Sequence, residues 1–435
     1  MSESIFLAGY ARADITPDYD VHMQGGDWRN RISTGILDRL YATCIAMTVG
    51  QDTVLLYTTD LKLVTKNFSE VTRDEISAAT GVPRERIFLA ATHTHSSVAI
   101  RYGWEGVEEY RAFFNKAAVQ AAQDALADRE SCRIMAGTTQ TQGLNFVRHY
   151  RTNAGGVCGS NFGDPSSGYV CHVKEPDREM QVVRLLRQEK KDILMVSFPC
   201  HGTFKEGGTL LSADYIGPAR EYAESHSDCH FAFFQAACGD QTPGSRIPGL
   251  AIKDYAEHGS RVAQAALGAT LLPLEGGALK VHSLMFTGNT NKKNMEKLED
   301  ARKVLEVAQT YGNRSQELKD ALKKYGLHSR HEANWLTIRD RVGDTVSMEL
   351  SVLSIGGLSF VLAPYEMFGE QGKYIKAHTT FPMSFIVGCH DGGYNYLASK
   401  EAFDYDCYES QCCFFERGTA ERLADLFLEM LEKVK

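Results

Sequence analysis

Short β-branched runs alternate with longer helical patterns through much of the chain, and this alternation restricts it to α/β architectures. Thr53 to Tyr57 precedes a helical pattern from Ser69 to Thr80, and Ile87 to Ala91 precedes another from Val107 to Ala127. Gln181 to Leu186, Ile193 to Phe198 and Phe231 to Ala236 read as further strands, with helices over Gly217 to Ser225 and Ile252 to Leu267. No Pro- or Gly-rich linker cuts the chain, so residues 1–435 read as one continuous domain. A charged helical insertion is expected at about 291–327, where Met295, Leu298, Ala301 and Val304/Leu305 form an apolar stripe. A C-terminal helix over 419–435 would pack Leu423, Leu426, Met430 and Val434 against the sheet. Arg148 to Asp177, rich in Gly, Asn, Ser and Cys, reads as a long binding loop.

Composition removes several function classes. Lys+Arg 47 against Asp+Glu 55 gives a net charge of −8, and without a long basic run nucleic acid is not an expected partner. The apolar runs are far shorter than the roughly 20 residues of a membrane span, and Ser2-Glu3-Ser4 leads straight into Ile5-Phe6-Leu7 without a signal-peptide pattern. A cytoplasmic protein acting on a small molecule is the expectation, and a homo-oligomer is compatible with it. The eleven cysteines are scattered without a Cys-x-x-Cys pair and read as reduced thiols.

Three strand exits carry chemistry. Thr92-His93-Thr94-His95 follows the strand ending at Ala91; if the extended conformation continues, both imidazoles share one face about 6.6 Å apart. Either both bind a metal, or one binds it and the other is an acid/base group beside it. Pro199-Cys200-His201-Gly202-Thr203 follows Ile193 to Phe198, and Ala363-Pro364-Tyr365-Glu366 follows Leu358 to Leu362. Ligands collect at the carboxyl ends of strands in open α/β sheets, so His201 and Glu366 are expected to converge with His93. Taken singly, each has a plainer reading: a strand-end histidine bonded to backbone, or a carboxylate in a first helical turn.

The ordered set resembles the neutral, non-lysosomal ceramidase family of zinc-dependent amidases. The resemblance rests on Gly9-Tyr10-Ala11-Arg12-Ala13-Asp14-Ile15-Thr16-Pro17, Thr92-His93-Thr94-His95-Ser96 and Cys200-His201-Gly202-Thr203. It continues in Ala237-Cys238-Gly239-Asp240-Gln241-Thr242-Pro243, Pro364-Tyr365-Glu366 and Tyr394-Asn395-Tyr396-Leu397-Ala398-Ser399, with Tyr408-Glu409 downstream. It implies a mixed β-sheet core flanked by helices and one zinc per chain on His93, His201, Glu366 and Tyr396. It further implies His95 as a proton-transferring or oxyanion-stabilising group, Tyr408 as an oxyanion donor and Arg148 as a substrate contact. Thr242, Asp240, Asn145 and His390 are the expected substrate-binding residues. The chain departs from the family at Thr242 and Ala237, where serine and asparagine are usual, and at Ser97-Val98, where Gly-Pro is usual. It also reads as too short for the family's C-terminal immunoglobulin-like domain. These departures move the expected substrate from membrane ceramide towards a small or polar amide. Alternatives are an ester or lactone as the cleaved bond, a Cys238 thiol as nucleophile, and a metal-binding protein without catalysis.

Overall fold

A computed structural model describes residues 5–25, 31–101, 103–160, 162–163, 165–313 and 315–435; the Ser2-Glu3-Ser4 opening lies outside them. Nine strands form the larger sheet: β1 (Phe6–Asp14), β2 (Tyr41–Val49), β3 (Asp52–Thr59), β4 (Ile87–Ala91), β5 (Glu130–Gln140), β6 (Glu179–Arg187), β7 (Asp192–Phe198), β8 (Cys229–Gln235) and β9 (Leu272–Leu274). Their order is β8-β7-β6-β5-β1-β2-β3-β4, with β9 on β5. Pairing is antiparallel apart from β3 with β4 and β7 with β8. A second sheet of β10 (Leu279–Asn289), β11 (Thr345–Ile355), β12 (Leu358–Leu362) and β13 (Met383–Val387) is antiparallel except for β12 with β13.

Strand periodicity explains the layering, because alternate residues bury against different neighbours. Leu55, Tyr57 and Leu89 face the helices α1 (Lys66–Thr80) and α2 (Val107–Ala127), packing on Phe68, Ile76, Phe114 and Ala118. Leu194 and Val196 face α3 (Ile216–His226) and α4 (Tyr255–Leu267). The intervening residues Leu56, Phe88, Ile193 and Met195 meet Leu353, Phe360, Leu362 and Phe385 of the second sheet. The other side of that sheet carries α8 (Gly369–His378) and α9 (Thr419–Lys433). The result is helix, sheet, sheet, helix. The α/β reading holds, and the layer it missed is the second sheet.

The expected C-terminal helix is present: Leu423, Met430 and Val434 are buried and Leu426 is partly buried in the core that α9 shares with the second sheet. The insertion is larger than its sequence suggested. It contains α5 (Leu298–Tyr311), α6 (Gln316–Tyr325) and also α7 (Arg330–Val342), with a small core of its own around Ala301, Val304, Leu318 and Leu336. It lies between β10 and β11, which pair along their whole length. The segment from Arg148 to Asp177 corrects the long-loop expectation. It contains a three-stranded sheet of His149–Thr152, Val157–Gly159 and Tyr169–His172, strands too short to show a period.

Candidate metal centre

The parallel pairs β3/β4, β7/β8 and β12/β13 all deliver their carboxyl ends to one place. Backbone bonds tie the exits together: Thr92 N donates to Thr59 O (2.8 Å), Ala91 N to Cys389 O (3.1 Å), His95 N to Gly202 O (2.8 Å) and Gly239 N to Met367 O (2.7 Å). Gly239 is required by this closeness, since a Cβ there would stand 2.6 Å from the Glu366 carbonyl oxygen. The extended conformation does not continue past Ala91, as the sequence reading supposed. His93 adopts a left-handed φ of 65°, one that histidine adopts more readily than most side chains, and this turn brings the His93 and His95 rings to 5.0 Å between centroids.

Each imidazole is held by its outer nitrogen. His93 Nδ1 donates to Lys62 O at 2.6 Å, His201 Nδ1 to Cys238 O (2.9 Å) and Gln241 O (2.8 Å), and His95 Nδ1 to Glu206 Oε1 at 2.9 Å. These acceptors select the tautomer that leaves each Nε2 with a free lone pair. Burial, followed by the charge of Lys62, pushes His95 down to about 3, which keeps its ring neutral. The Nε2 atoms of His93 and His201 meet at the Glu366 carboxylate, and that of His95 lies beside His93. Glu366 Oε2 lies 3.1 Å from His201 Nε2 and 3.3 Å from His93 Nε2, and the Nε2 atoms of His93 and His95 are 3.4 Å apart. For metal–ligand bonds of about 2.0 Å, a tetrahedron has edges of about 3.3 Å. The two edges that Glu366 makes with His93 and His201 match this length, so these three donors fit a small, tetrahedral, N/O-liking cation such as Zn²⁺.

Glu366 is not in a first helical turn. It pairs with Tyr396 in a two-residue parallel bridge, ahead of α8. The Tyr396 ring lies 6.4 Å from that of His201 and 5.7 Å from that of Tyr408, with the Arg148 guanidinium 5.2 Å above its centroid. Arg148 Nε donates to Glu409 Oε1 at 2.5 Å, and His149 Nε2 to Glu409 Oε2 at 2.9 Å. Burial alone would raise Glu409, but Arg148 and His149 hold its carboxyl well below the usual range. Tyr408 opens a helical turn beside His331 of α7; Cys412 and burial raise its phenol, which stays a proton donor.

The expected substrate contacts are placed differently. Asn145 spends its amide on Asp177 O, Pro199 O and Gln241 Oε1, and Asp240 accepts from Gly369 N at the start of α8. Both are buried braces of the frame. His390 is buried against Asp391 (2.6 Å) and Phe88. Thr242 is half-buried, with its hydroxyl 3.5 Å from that of Thr203. The Cys238 thiol has no exposed surface and lies with Cys389 beside His93. Reasoning from sequence missed Glu206, Lys62 and Cys389, which stand in no motif; only Glu409, adjacent to Tyr408, was within reach.

Residues 6–251 match the neutral/alkaline non-lysosomal ceramidase family, N-terminal. No curated protein matches the chain. Neutral ceramidase from Pseudomonas aeruginosa has a similar structure, with a TM-score of 0.72 and 17% identity over 99% of this chain and 74% of that one. A ceramidase complexed with C2 is similar at the same score and identity, over 99% of this chain and 75% of that chain. At such identity the likeness is one of fold, whereas the match over residues 6–251 takes in more than half of the sequence: the chain belongs to the neutral/alkaline non-lysosomal ceramidase family.

Proposed function

We propose that this protein is a zinc-dependent hydrolase that cleaves an amide bond with a metal-activated water, on a small or polar substrate rather than on membrane ceramide. The observation that carries the reading is the clustering of three imidazoles, two of them with Nε2 on the Glu366 carboxylate, with every outer nitrogen held by an acceptor. His93, His201, Glu366 and Tyr396 would hold the ion. When bound, it supplies a water of lowered pKa and a Lewis acid for the carbonyl.

The rest of the work falls to the protein. His95, neutral and oriented by Glu206, is a base beside the ion and can carry a proton to the leaving amine, the step an amide requires. Tyr408 offers an O–H to a developing oxyanion. Arg148, fixed by Glu409, holds the Tyr396 ring and keeps positive charge at the rear of the site. The polar strands between Arg148 and Asp177, and the changes at Thr242, Ala237 and Ser97-Val98, support a polar substrate. The thiols of Cys238 and Cys389, adjacent and unlinked, support a reducing, cytoplasmic setting. Among the described residues no helix is long and apolar enough to cross a membrane.

The test is hydrolysis of a panel of short-acyl amides, long-chain ceramide, esters and lactones by zinc-loaded and chelator-treated protein. The expected result is amide turnover that is lost on chelation and restored by zinc, with short or hydrophilic amides ahead of ceramide. Turnover indifferent to chelation, or none with the loaded protein, overturns the reading.

A further inference from the structure

Lys62 lies in the segment leaving β3, and its backbone is pinned on both sides of the metal centre: its N–H donates to Ser97 Oγ at 2.9 Å and its carbonyl accepts from His93 Nδ1 at 2.6 Å. With the backbone so held, the half-buried side chain emerges from a fixed origin beside the imidazoles. Its ammonium interacts electrostatically with Glu366, Arg101 and Glu206, and the Arg101 guanidinium in turn with Glu366. Arg101 ends the stretch that begins with Ser97–Val98, a pair anchored on Met23–Gln24.

Neither cationic head has a hydrogen bond or ion pair among the described residues. The nearby carboxylates are already engaged, Glu366 with His93 and His201 and Glu206 with His95. Glu366 and Glu206 offset the two cations, which repel each other; an ion at the centre would tip this balanced group to net positive charge. Such a grouping favours the entry of an anion.

Resting on the amidase reading above for the word substrate, we propose that Lys62 and Arg101 form an anion-binding subsite beside the metal centre, and that the substrate is an acidic amide carrying a carboxylate within a few bonds of the scissile carbonyl. Lys62 supplies a point charge next to the imidazoles, and Arg101 a planar fork at the exposed rim suited to two carboxylate oxygens.

The experiment is calorimetric binding to the zinc-loaded protein of two acids, N-acetylglycine and succinamate, each beside its uncharged amide, with hydrolysis followed in parallel. At least one acid is expected to bind about tenfold or more tightly than its neutral twin, as a charge-assisted hydrogen bond would give. Lys62→Met and Arg101→Gln should each cut that ratio several-fold. In the unaltered protein, raising the salt to about 0.5 M should also shrink it, a readout independent of any variant's folding. Equal binding of acid and amide, or a ratio that survives both substitutions and salt, overturns the subsite. Selective binding without hydrolysis would leave the subsite standing and count against the amidase reading alone.

Discussion

Glu366 and Tyr396 are register partners in a two-residue parallel bridge, and the Glu366 N–H donates to the Asn395 carbonyl at 2.7 Å. The bridge presents a carboxylate and a phenol together beside His201, and it depends on Asn395 adopting a left-handed φ of 57°. Asparagine tolerates that conformation, whereas a β-branched residue does not. Asn395→Val should therefore lower stability by about 1–2 kcal/mol and weaken zinc uptake, while Asn395→Gly should spare uptake. Denaturation and metal titration of the two variants check this, and equal behaviour would show that the turn does not govern the bridge.

Metal content tests the centre directly. As-purified protein should hold about one zinc per chain by mass spectrometry, and a folded His93→Ala/His201→Ala variant should hold none. Zinc added in hundredfold excess over its Kd should stabilise the unaltered protein by about 2.7 kcal/mol and leave the variant unmoved.

Glu409 holds two buried partners at once, the Arg148 guanidinium and the His149 ring. Glu409→Ala strands the guanidinium in the interior and should cost about 3–5 kcal/mol of unfolding free energy. A loss near zero in urea denaturation would mean that Arg148 finds water or another acceptor.

Asp214 accepts from Lys205 N and Tyr215 N yet is fully buried, and burial raises its carboxyl from 3.8 to about 6. Because the folded value lies above the unfolded one, its contribution to stability is complete below pH 3.8 and is lost as pH rises through about 6. Asp214→Asn removes this titration. The stability of the natural protein relative to the variant should fall by about 2.4 kcal/mol between pH 4 and 7. A difference curve flat in pH would contradict it.

The Cys238 carbonyl holds His201, while its thiol is buried beside His93 and Cys389. Cys238→Ala should keep zinc and turnover with a stability loss of about 1 kcal/mol. Turnover abolished with zinc retained would restore the thiol as nucleophile.

Much of the fold was legible. The run Ile87 to Ala91 and the helix Val107 to Ala127 match their observed bounds, because a buried strand and a long apolar-faced helix announce themselves locally. His93, His201 and Glu366 were legible for a related reason, since each follows the end of an apolar run. Tyr396 follows no such run and was named only through the family resemblance. Asn145, Asp240 and His390, expected to face a substrate, make contacts within the frame, and a polar residue beside a motif looks the same in sequence whichever it does.

By itself the sequence determined what local periodicity and strand ends encode: the α/β alternation, the approximate bounds of several strands and helices, and the exits carrying the imidazoles and a carboxylate. Only the tertiary structure decided what those exits meet. The packing of a second sheet on the first, α7 beside Tyr408, Glu206 on His95 and Lys62 near Arg101 are contacts between distant segments. They follow from how the layers stack and bury surface, a property no single stretch of chain contains.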